Sequence, residues 1–349
     1  MLRKNSQRRK NSQRRKNSQR RKSRRKSRKK KKSQSNWRWN FIKPVVTRKK
    51  SVLWSARHEP IYGSDMILAK RMLTSPVRDL KKYSKVMKWL KTNKVYISMT
   101  SSPKRLSKLQ AVLASIDTTY LTSIYLVLPY KFGRSGELYN NMLIKRIEKN
   151  FPMVDIVRIP NDYGPITKLL PAARLLKYQP NSILITIDDD ICYPLGMVNE
   201  IIYQKVTRYP RDALETSGGF YIRSSIREFR KYWPAKRVNF PKMDIIEGFS
   251  GVAYNPWMLD TKLMEKLSEM KACFLSDDLV ISYILAKNKV TMRNICNKYW
   301  YMPYAYLYGE LEDALHTSGD DKTIGSNAHN IKKYRNCLLH IVNYMKKKT

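Results

Sequence analysis

The sequence predicts an α/β protein with a mixed, mostly parallel sheet flanked by helices. Short apolar segments alternate with helical patterns from Lys94 to about Val206, and this alternation is typical of parallel β-α units. One of these segments, Ile183–Ile187, is apolar or β-branched at every position, as in a strand buried on both faces. It ends in three consecutive aspartates, which are therefore expected at the carboxyl edge of the sheet.

The predicted elements alternate regularly before residue 210 and less regularly after it. The predicted strands are 95–100, 123–129, 154–160, 182–187, 213–223 and 245–254. The predicted helices are 79–90, 106–116, 137–150, 167–178, 198–206, 279–286 and 331–344. A polar loop is predicted at 319–329. Parallel strands in one sheet are joined by right-handed connections, so the first four strands should form the parallel part of the sheet.

The net charge of +43 is concentrated at the amino end of the chain. Residues 1–58 contain 25 Lys and Arg and no acidic residue, whereas the other 291 residues contain 45 basic and 27 acidic residues. Residues 3–32 are built on the repeated hexad RKNSQR, and no apolar residue occurs from Arg3 to Gln34, so a disordered tail is predicted at 1–36. Such a tail suits nucleic acid or an anionic membrane, or it is only non-specifically adhesive. Residues 37–92 are interpreted as an extension and 93–349 as the main domain.

The cysteines and the hydropathy pattern bear on location. The four cysteines are widely spaced without a CxxC pair, so we expect neither a zinc ribbon nor a disulfide framework, but four reduced thiols. No apolar stretch approaches the ~18 residues that span a bilayer, and no secretory h-region is visible. We therefore expect a cytoplasmic protein without a transmembrane segment, with nuclear or peripheral membrane association open through the tail.

The three aspartates at 188–190 predict a metal site. Ligands of parallel sheets bind beyond the carboxyl ends of the strands. Alternate residues of an extended segment point the same way, so Asp188 and Asp190 should face one ion while Asp189 faces elsewhere. Mg²⁺ and Mn²⁺ take such oxygen ligands together with substrate phosphates. The alternative is a solvated acidic turn.

Four motifs follow one another in the main domain. They are GPITKL at 164–169, I-x-x-DDD-I-x-Y-P at 185–194, GFSG at 248–251 and SDD at 276–278. In this order, over about 95–340, they resemble the nucleotide-sugar-dependent glycosyltransferases of the GT-A fold with a D-x-D motif. The resemblance implies a Rossmann-like donor half and a more open acceptor half. It also implies a hexosyltransferase-like enzyme that uses Mn²⁺ or Mg²⁺, a UDP- or GDP-linked sugar donor, and a carbohydrate, glycoprotein or glycolipid acceptor.

The resemblance and the chemistry of each side chain assign the remaining donor-site roles. The metal ligands would be Asp188 and Asp190, with a carboxyl-terminal histidine, His316 or His329, as a further ligand. The donor or nucleotide would contact Thr100, Arg105, Lys168, Asp188, Asp189, Gly248 and Gly251. Lys168 and Arg105 would neutralise phosphates, since a departing diphosphate needs its charge offset. The alternatives are an ordinary surface lysine at 168 and a β-bulge at the two glycines.

The SDD motif supplies the candidate general base. A hydroxyl that attacks an anomeric carbon must lose its proton, and Asp278 matches the catalytic carboxylate of inverting family members. Asp277 stands where the family usually has Glu, so which of the two acts stays open; a like-charged neighbour would raise the pKa of the base. Either could instead cap the helix that follows. Glu247 is assigned to the acceptor or to a solvent face.

Two other classes of function are alternatives to a glycosyltransferase. A metal-dependent phosphoryl-transfer enzyme or nuclease would use the same aspartates, but such sites usually gather carboxylates from further strands, and the first strand ends without an acid at Met99–Ser102. A non-catalytic nucleic-acid-binding protein acting through its basic tail would leave the triple aspartate unexplained.

Overall fold

The computed structural model describes residues 77–216, 219–223, 228–231, 242–295, 305–306 and 326–346. Its strands are β1 (Val95–Thr100), β2 (Ser123–Pro129), β3 (Val154–Ile159), β4 (Ile183–Thr186), β5 (Ile191–Cys192), β6 (Ala213–Glu215), β7 (Gly219–Arg223), β8 (Glu228–Lys231), β9 (Lys242–Met243), β10 (Ile245–Ile246), β11 (Val252–Tyr254), β12 (Met292–Asn294) and β13 (Ala305–Tyr306). Its helices are α1 (Ser84–Thr92), α2 (Leu109–Ala114), α3 (Asn141–Asn150), α4 (Leu170–Leu175), α5 (Met197–Thr207), α6 (Thr261–Ser268), α7 (Asp277–Lys287) and α8 (Ser326–Lys346). Short 3-10 turns lie at Leu80–Lys82, Gly164–Lys168, Gly248–Ser250 and Pro256–Met258.

A mixed, mostly parallel sheet of eight strands runs through the described residues. Its order is β3-β2-β1-β4-β11-β6-β12-β9. The first four strands are parallel to one another, as predicted. β11 runs antiparallel to both of its neighbours, and β9 runs antiparallel to β12. The carboxyl ends of β1 and β4 and the amino end of β11 therefore meet at one edge of the sheet.

Strand β4 is buried on both faces, which confirms the interpretation of its apolar run. Ile183 and Ile185 belong to one hydrophobic cluster, whereas Leu184 belongs to a second cluster on the other face. All three are at most 1% exposed. The period of two along a strand divides the run between two cores, so neither face of this strand meets water.

Helices cover both faces of the sheet. The first cluster receives apolar side chains from α1, α2, α3 and α5, and the second from α4, α6, α7 and α8. Leu80 and Val86 are fully buried in the first cluster, so residues just before β1 also pack on this core. Arg78 reinforces the contact through an ion pair with Glu200 on α5 at 2.6 Å.

Several predicted elements are corrected in extent. The strand predicted at 245–254 is two short strands, β10 and β11, separated by the turn at Gly248–Ser250. The helix predicted at 167–178 begins as a 3-10 turn and continues as α4. The loop predicted to end at residue 329 gives way to α8 at Ser326.

The expectation of four reduced thiols is wrong for two of them. Cys273, just before α7, and Cys337, on α8, form a disulfide. A spacing of 64 residues hides this pair from any local cysteine motif. Cys192 is a free thiol.

The predictions for the amino-terminal tail and for most of the extension after it concern residues that the structure does not describe. The tail at 1–36 and most of the extension at 37–92 lie outside the described residues. Among the described helices, none is both long and apolar enough to cross a membrane.

Candidate active site

The candidate site lies at the sheet edge where β1, β4 and β11 meet. Ser101 follows β1, Asp188 lies two residues beyond β4, and the Gly248–Ser250 turn precedes β11. Thr186 pairs with Ser98 of β1 on one side and with Val252 of β11 on the other, which places these three loops side by side. The sheet register therefore brings the DDD and GFSG motifs together at one edge.

The three aspartates alternate in exposure. The side chains of Asp188 and Asp190 are 30% and 21% exposed, whereas that of Asp189 is 9% exposed. Asp189 turns inward and accepts a hydrogen bond from the Ser101 hydroxyl at 2.6 Å. The inward carboxylate thus fastens the loop after β4 to the loop after β1, and the two outward carboxylates remain at the edge.

Arg105 is the cation beside the second and third aspartates. Its Nη1 lies 3.0 Å from Asp189 Oδ1 and 3.1 Å from Asp190 Oδ2. Burial opposes its charge, but Asp189 and Asp190 outweigh burial and raise the pKa of the guanidinium. Burial, with the like charges of Asp189 and Asp188, raises the pKa of Asp190 to about 7 in spite of Arg105. One guanidinium therefore offsets only part of the cost that burial and the two like charges impose on the ionised form of Asp190.

Lys168 joins the two acidic motifs. It is 5% exposed, so the alternative of a surface lysine is wrong. Its Nζ lies 2.7 Å from Asp188 Oδ1 and 3.3 Å from Asp277 Oδ2. Burial disfavours the ammonium, but Asp188, Asp277 and Asp278 outweigh burial and hold its pKa well above the usual value. The positive charge predicted for a donor phosphate is thus already shared by two carboxylates.

Gly248 and Gly251 answer two different steric demands. A Cβ at Gly248 would lie 2.9 Å from Lys168 Nζ and 3.1 Å from Asp278 Oδ1, so glycine lets the backbone approach this charged cluster. Gly251 has φ +98°, a conformation that favours glycine, and a Cβ there would lie 2.8 Å from the Met197 sulfur. Gly248 lies in a 3-10 turn and not in a β-bulge.

The two aspartates at the start of α7 have different surroundings. Ser276 occupies the N-cap position and Asp277 and Asp278 lie in the first turn, so the capping alternative is wrong. Asp277 is 8% exposed and pairs with Lys168. Asp278 is more exposed than Asp277, and its Oδ1 accepts a hydrogen bond from the Gly248 N–H at 2.6 Å. Burial and the neighbouring Asp277 raise the pKa of Asp278 to about 8, although Lys168 and the Gly248 N–H oppose this.

Two tyrosines that we did not predict hold the site together. Tyr334 on α8 donates its hydroxyl to Asp278 Oδ2 at 2.7 Å. The Tyr193 hydroxyl donates to the Phe249 carbonyl at 2.6 Å and accepts the Asp188 N–H at 2.8 Å, so it links the DDD and GFSG loops. Tyr193 is the tyrosine of the I-x-Y-P motif, a signal present in the sequence. Tyr334 lies 56 residues from its partner and carries no such signal.

The remaining predicted site residues are Thr100, Glu247 and the two candidate histidines. Thr100 donates its hydroxyl to the Val127 carbonyl at 2.8 Å, which uses the side chain between β1 and β2. Glu247 is 3% exposed, which excludes the solvent-face alternative. His316 lies outside the described residues, and the side chain of His329 is not described.

The predicted metal ligands fit an ion only in part. Among the described residues, no group of three or more His, Cys, Asp or Glu side chains is arranged as a metal cluster. Asp188 and Asp190 are nevertheless partly exposed at one edge. One or two carboxylates are enough for Mg²⁺ where substrate phosphates complete the coordination. The two carboxylates do not by themselves form a closed protein cage, so further ligands would have to come from a bound molecule.

The chain shows only distant likeness to the solved structures compared below. No protein-family model matches the chain, and no curated protein matches it either. Among solved structures, S. aureus TarS aligns over 59% of this chain and 35% of its own, with 10% identity and a TM-score of 0.38. Residues 1–349 of S. aureus TarS align over 70% of this chain and 90% of their own, with 12% identity and a TM-score of 0.40. The first alignment spans about a third of the TarS chain, and likenesses at these TM-scores carry no weight for function.

Proposed function

We propose that the chain is a glycosyltransferase of the GT-A type, which moves a hexosyl group from a UDP- or GDP-linked donor to a hydroxyl of a carbohydrate, glycoprotein or glycolipid. One observation carries the proposal: Lys168 bridges Asp188 of the DDD motif to Asp277 of the SDD motif, and this brings Asp278, a carboxylate of raised pKa, to the edge of the sheet where Asp188 and Asp190 lie. Glycosyl transfer requires a general base for the acceptor hydroxyl and a site that stabilises the leaving diphosphate. These residues would supply both at one edge of the sheet.

The donor diphosphate is placed at Asp188 and Asp190. These two carboxylates would hold Mn²⁺ or Mg²⁺, which, when bound, supplies a Lewis acid for the leaving diphosphate. Arg105 orients Asp189 and Asp190, and the Ser101 hydroxyl holds Asp189 from the other side. Gly248 lets the GFSG loop lie close to Lys168 and Asp278, and we assign Glu247, which precedes it, to the acceptor.

Asp278 is proposed as the base and Asp277 as its support. The acceptor O–H bond breaks as its proton passes to Asp278, the acceptor oxygen forms a bond to the anomeric carbon, and the bond from that carbon to the diphosphate oxygen breaks. A pKa of about 8 makes the ionised form of Asp278 a stronger base than an ordinary carboxylate. Asp277 is less suited to the task because Lys168 pairs with it. Direct attack of this kind inverts the anomeric centre.

The proposal is tested by calorimetry of the full chain with a panel of UDP- and GDP-sugars, with and without MnCl₂. We expect metal-dependent binding of at least one donor, and loss of that binding in Asp188→Ala and in Asp190→Ala. Asp117→Ala, in a turn where the Asp117 side chain accepts from Thr119, is the matched control and should bind normally. Circular dichroism checks that each variant folds. Absence of binding across the panel, or metal-dependent binding that survives both substitutions, would refute the proposal.

A further inference from the structure

The last helix presents one buried face to the candidate base. On α8, Tyr334 is 4% exposed and Cys337 and Ile341 are fully buried, whereas Arg335 and His340 are exposed. Spacings of three and four residues put the buried side chains on one face of a helix. This face belongs to the same hydrophobic cluster as the apolar side chains of α7. The carboxyl-terminal helix is therefore packed against the helix that begins with Asp277 and Asp278.

Two bonds tie α8 to the start of α7. One is the disulfide between Cys273 and Cys337, and the other is the hydrogen bond from Tyr334 to Asp278. Cys273 precedes Asp278 by five residues, and Cys337 follows Tyr334 by three. Three residues of helix rise by about 4.5 Å, less than one turn. The covalent bond thus anchors the same turn of α8 that carries the tyrosine.

The hydroxyl of Tyr334 donates a hydrogen bond to the carboxylate of Asp278. Burial and the neighbouring charges of Asp278 and Glu247 raise the pKa of Tyr334 well above its usual value, so the hydroxyl keeps its proton. The Gly248 N–H occupies Oδ1 of Asp278 and the tyrosine occupies Oδ2, so both oxygens have a fixed donor. Both donors are uncharged, in contrast to the ammonium on Asp188.

We propose that Tyr334 is a positioning residue for Asp278, orienting its carboxylate through Oδ2, and that the Cys273–Cys337 cross-link holds the tyrosine in place. The effect on turnover rests on the proposed function, whereas the effect on the carboxylate itself does not. The other charged groups acting on Asp278 are Asp277 and Lys168 from its own helix and from the Gly164–Lys168 turn, and Glu247 before β11.

The first experiment measures the carboxylate directly. In full-length protein labelled at the aspartate carboxyl carbons, the ¹³C signal of Asp278 is assigned by its loss in Asp278→Asn and is titrated in native protein and in Tyr334→Phe. A hydrogen bond to the ionised form favours it, so removing the hydroxyl should move the titration upward by roughly one pH unit. Tyr344→Phe, ten residues along α8 and facing Lys266, is the matched control and should leave it unchanged. An unshifted titration in folded Tyr334→Phe overturns the inference.

The second experiment measures turnover as release of UDP or GDP from the donor that calorimetry identifies. In Tyr334→Phe the acid limb of the kcat/KM profile should move to higher pH, and kcat should fall several-fold with little change in donor KM. A loss of packing alone would hydrate Asp278 and move the limb to lower pH, because burial is the main cause of its raised pKa. If the NMR titration shifts while no donor supports turnover in native protein, the proposed function fails and the positioning role stands.

The third experiment tests the cross-link and also serves if Tyr334→Phe does not fold. The double variant Cys273→Ser/Cys337→Ser keeps the hydroxyl and releases its support, so the Asp278 titration should shift in the same direction. Adding Tyr334→Phe should then produce little further change, because both substitutions act through one hydrogen bond. Independent, additive shifts, or no shift in the double variant, would overturn the anchoring role of the disulfide.

Discussion

The two acidic motifs of the site contain the same kind of residue in contrasting environments. At the DDD motif after β4, Asp188 pairs with an ammonium and Asp189 and Asp190 with a guanidinium. At the start of α7, Asp278 is bonded by a backbone N–H and a phenol, both uncharged. Asp277 resembles the first group, since Lys168 reaches it. The neighbours, not the residue type, separate Asp188 and Asp277, which share the charge of Lys168, from Asp278, whose hydrogen-bond donors are uncharged.

The contrast also explains why one lysine serves both motifs. Lys168 contacts Asp188 and Asp277 directly, and its charge also lowers the pKa of Asp278. The charge of Lys168 keeps the pKa of Asp278 low enough for the carboxyl group to ionise in mildly alkaline solution. It does not bring that pKa down to the value of an ordinary carboxyl group. The following substitutions test whether the two environments differ in this way.

The largest effect is expected from Asp278→Asn, which should lower kcat by about 10²- to 10⁴-fold, the usual contribution of a general base. In the native protein, activity should rise with pH to a plateau above about pH 8, because the base must be ionised. The matched variant Asp277→Asn should retain more activity, since its side chain supports and does not react. The assay is UDP or GDP release across pH 5–9.5, and a larger loss in Asp277→Asn would reverse the assignment.

The same substitution should stabilise the fold at alkaline pH. Asp278 binds a proton more tightly in the folded chain, with a pKa of about 8, than in an unfolded chain, where a carboxyl has a pKa of about 3.9. Its contribution to stability is therefore present below about pH 4 and is lost as pH rises through about 8. The free energy of unfolding of Asp278→Asn relative to native protein should improve from pH 5 to pH 8.5. Denaturant titrations measure it, and a pH-independent difference would contradict the raised pKa.

A smaller effect is expected from Lys168→Met, which removes the charge shared by the two motifs. Leaving buried carboxylates without their cation typically costs about 3–5 kcal/mol of unfolding free energy. The acid limb of the pH profile should also move upward, because Lys168 lowers the pKa of Asp278. Lys287→Met, which breaks the exposed pair of Lys287 with Asp260, is the matched control and should cost at most about 1 kcal/mol. Equal losses in the two variants would show that Lys168 is an ordinary ion pair.

Local pattern predicted the first half of the fold well because its signals are local. The apolar runs of β1 and β2 were predicted with their observed ends, 95–100 and 123–129. The turn between β10 and β11 was predicted as strand because the apolar residues beside it follow a strand pattern. Glycine is needed at 248 and 251 because a Cβ there would collide with Lys168 and Met197, which lie far away in the sequence. Steric demands made by residues far away in the chain leave no mark on local periodicity.

The candidate site, like the fold, was predicted where its sequence signals are local and missed where they are not. Three carboxylates after a buried strand indicate chemistry from sequence alone, and the structure places Asp188 and Asp190 outward with Asp189 inward. Tyr334 and the disulfide partner Cys337 lie 56 and 64 residues from their partners, so only the packing of α8 reveals them. The metal and the donor sugar stay predictions.

The smallest effect on catalysis is expected from deleting residues 1–36, which tests whether the charge of the site is independent of the charge of the tail. Lys168 and Arg105, which pair with the carboxylates of the two motifs, both lie in the main domain and not in the tail. Turnover of the donor should therefore be unchanged. Adhesion to heparin, RNA or anionic vesicles should fall steeply, because the tail is purely basic and such binding depends on neutralised charges. Folded truncated protein that loses turnover would show that the tail contributes positive charge to the donor diphosphate.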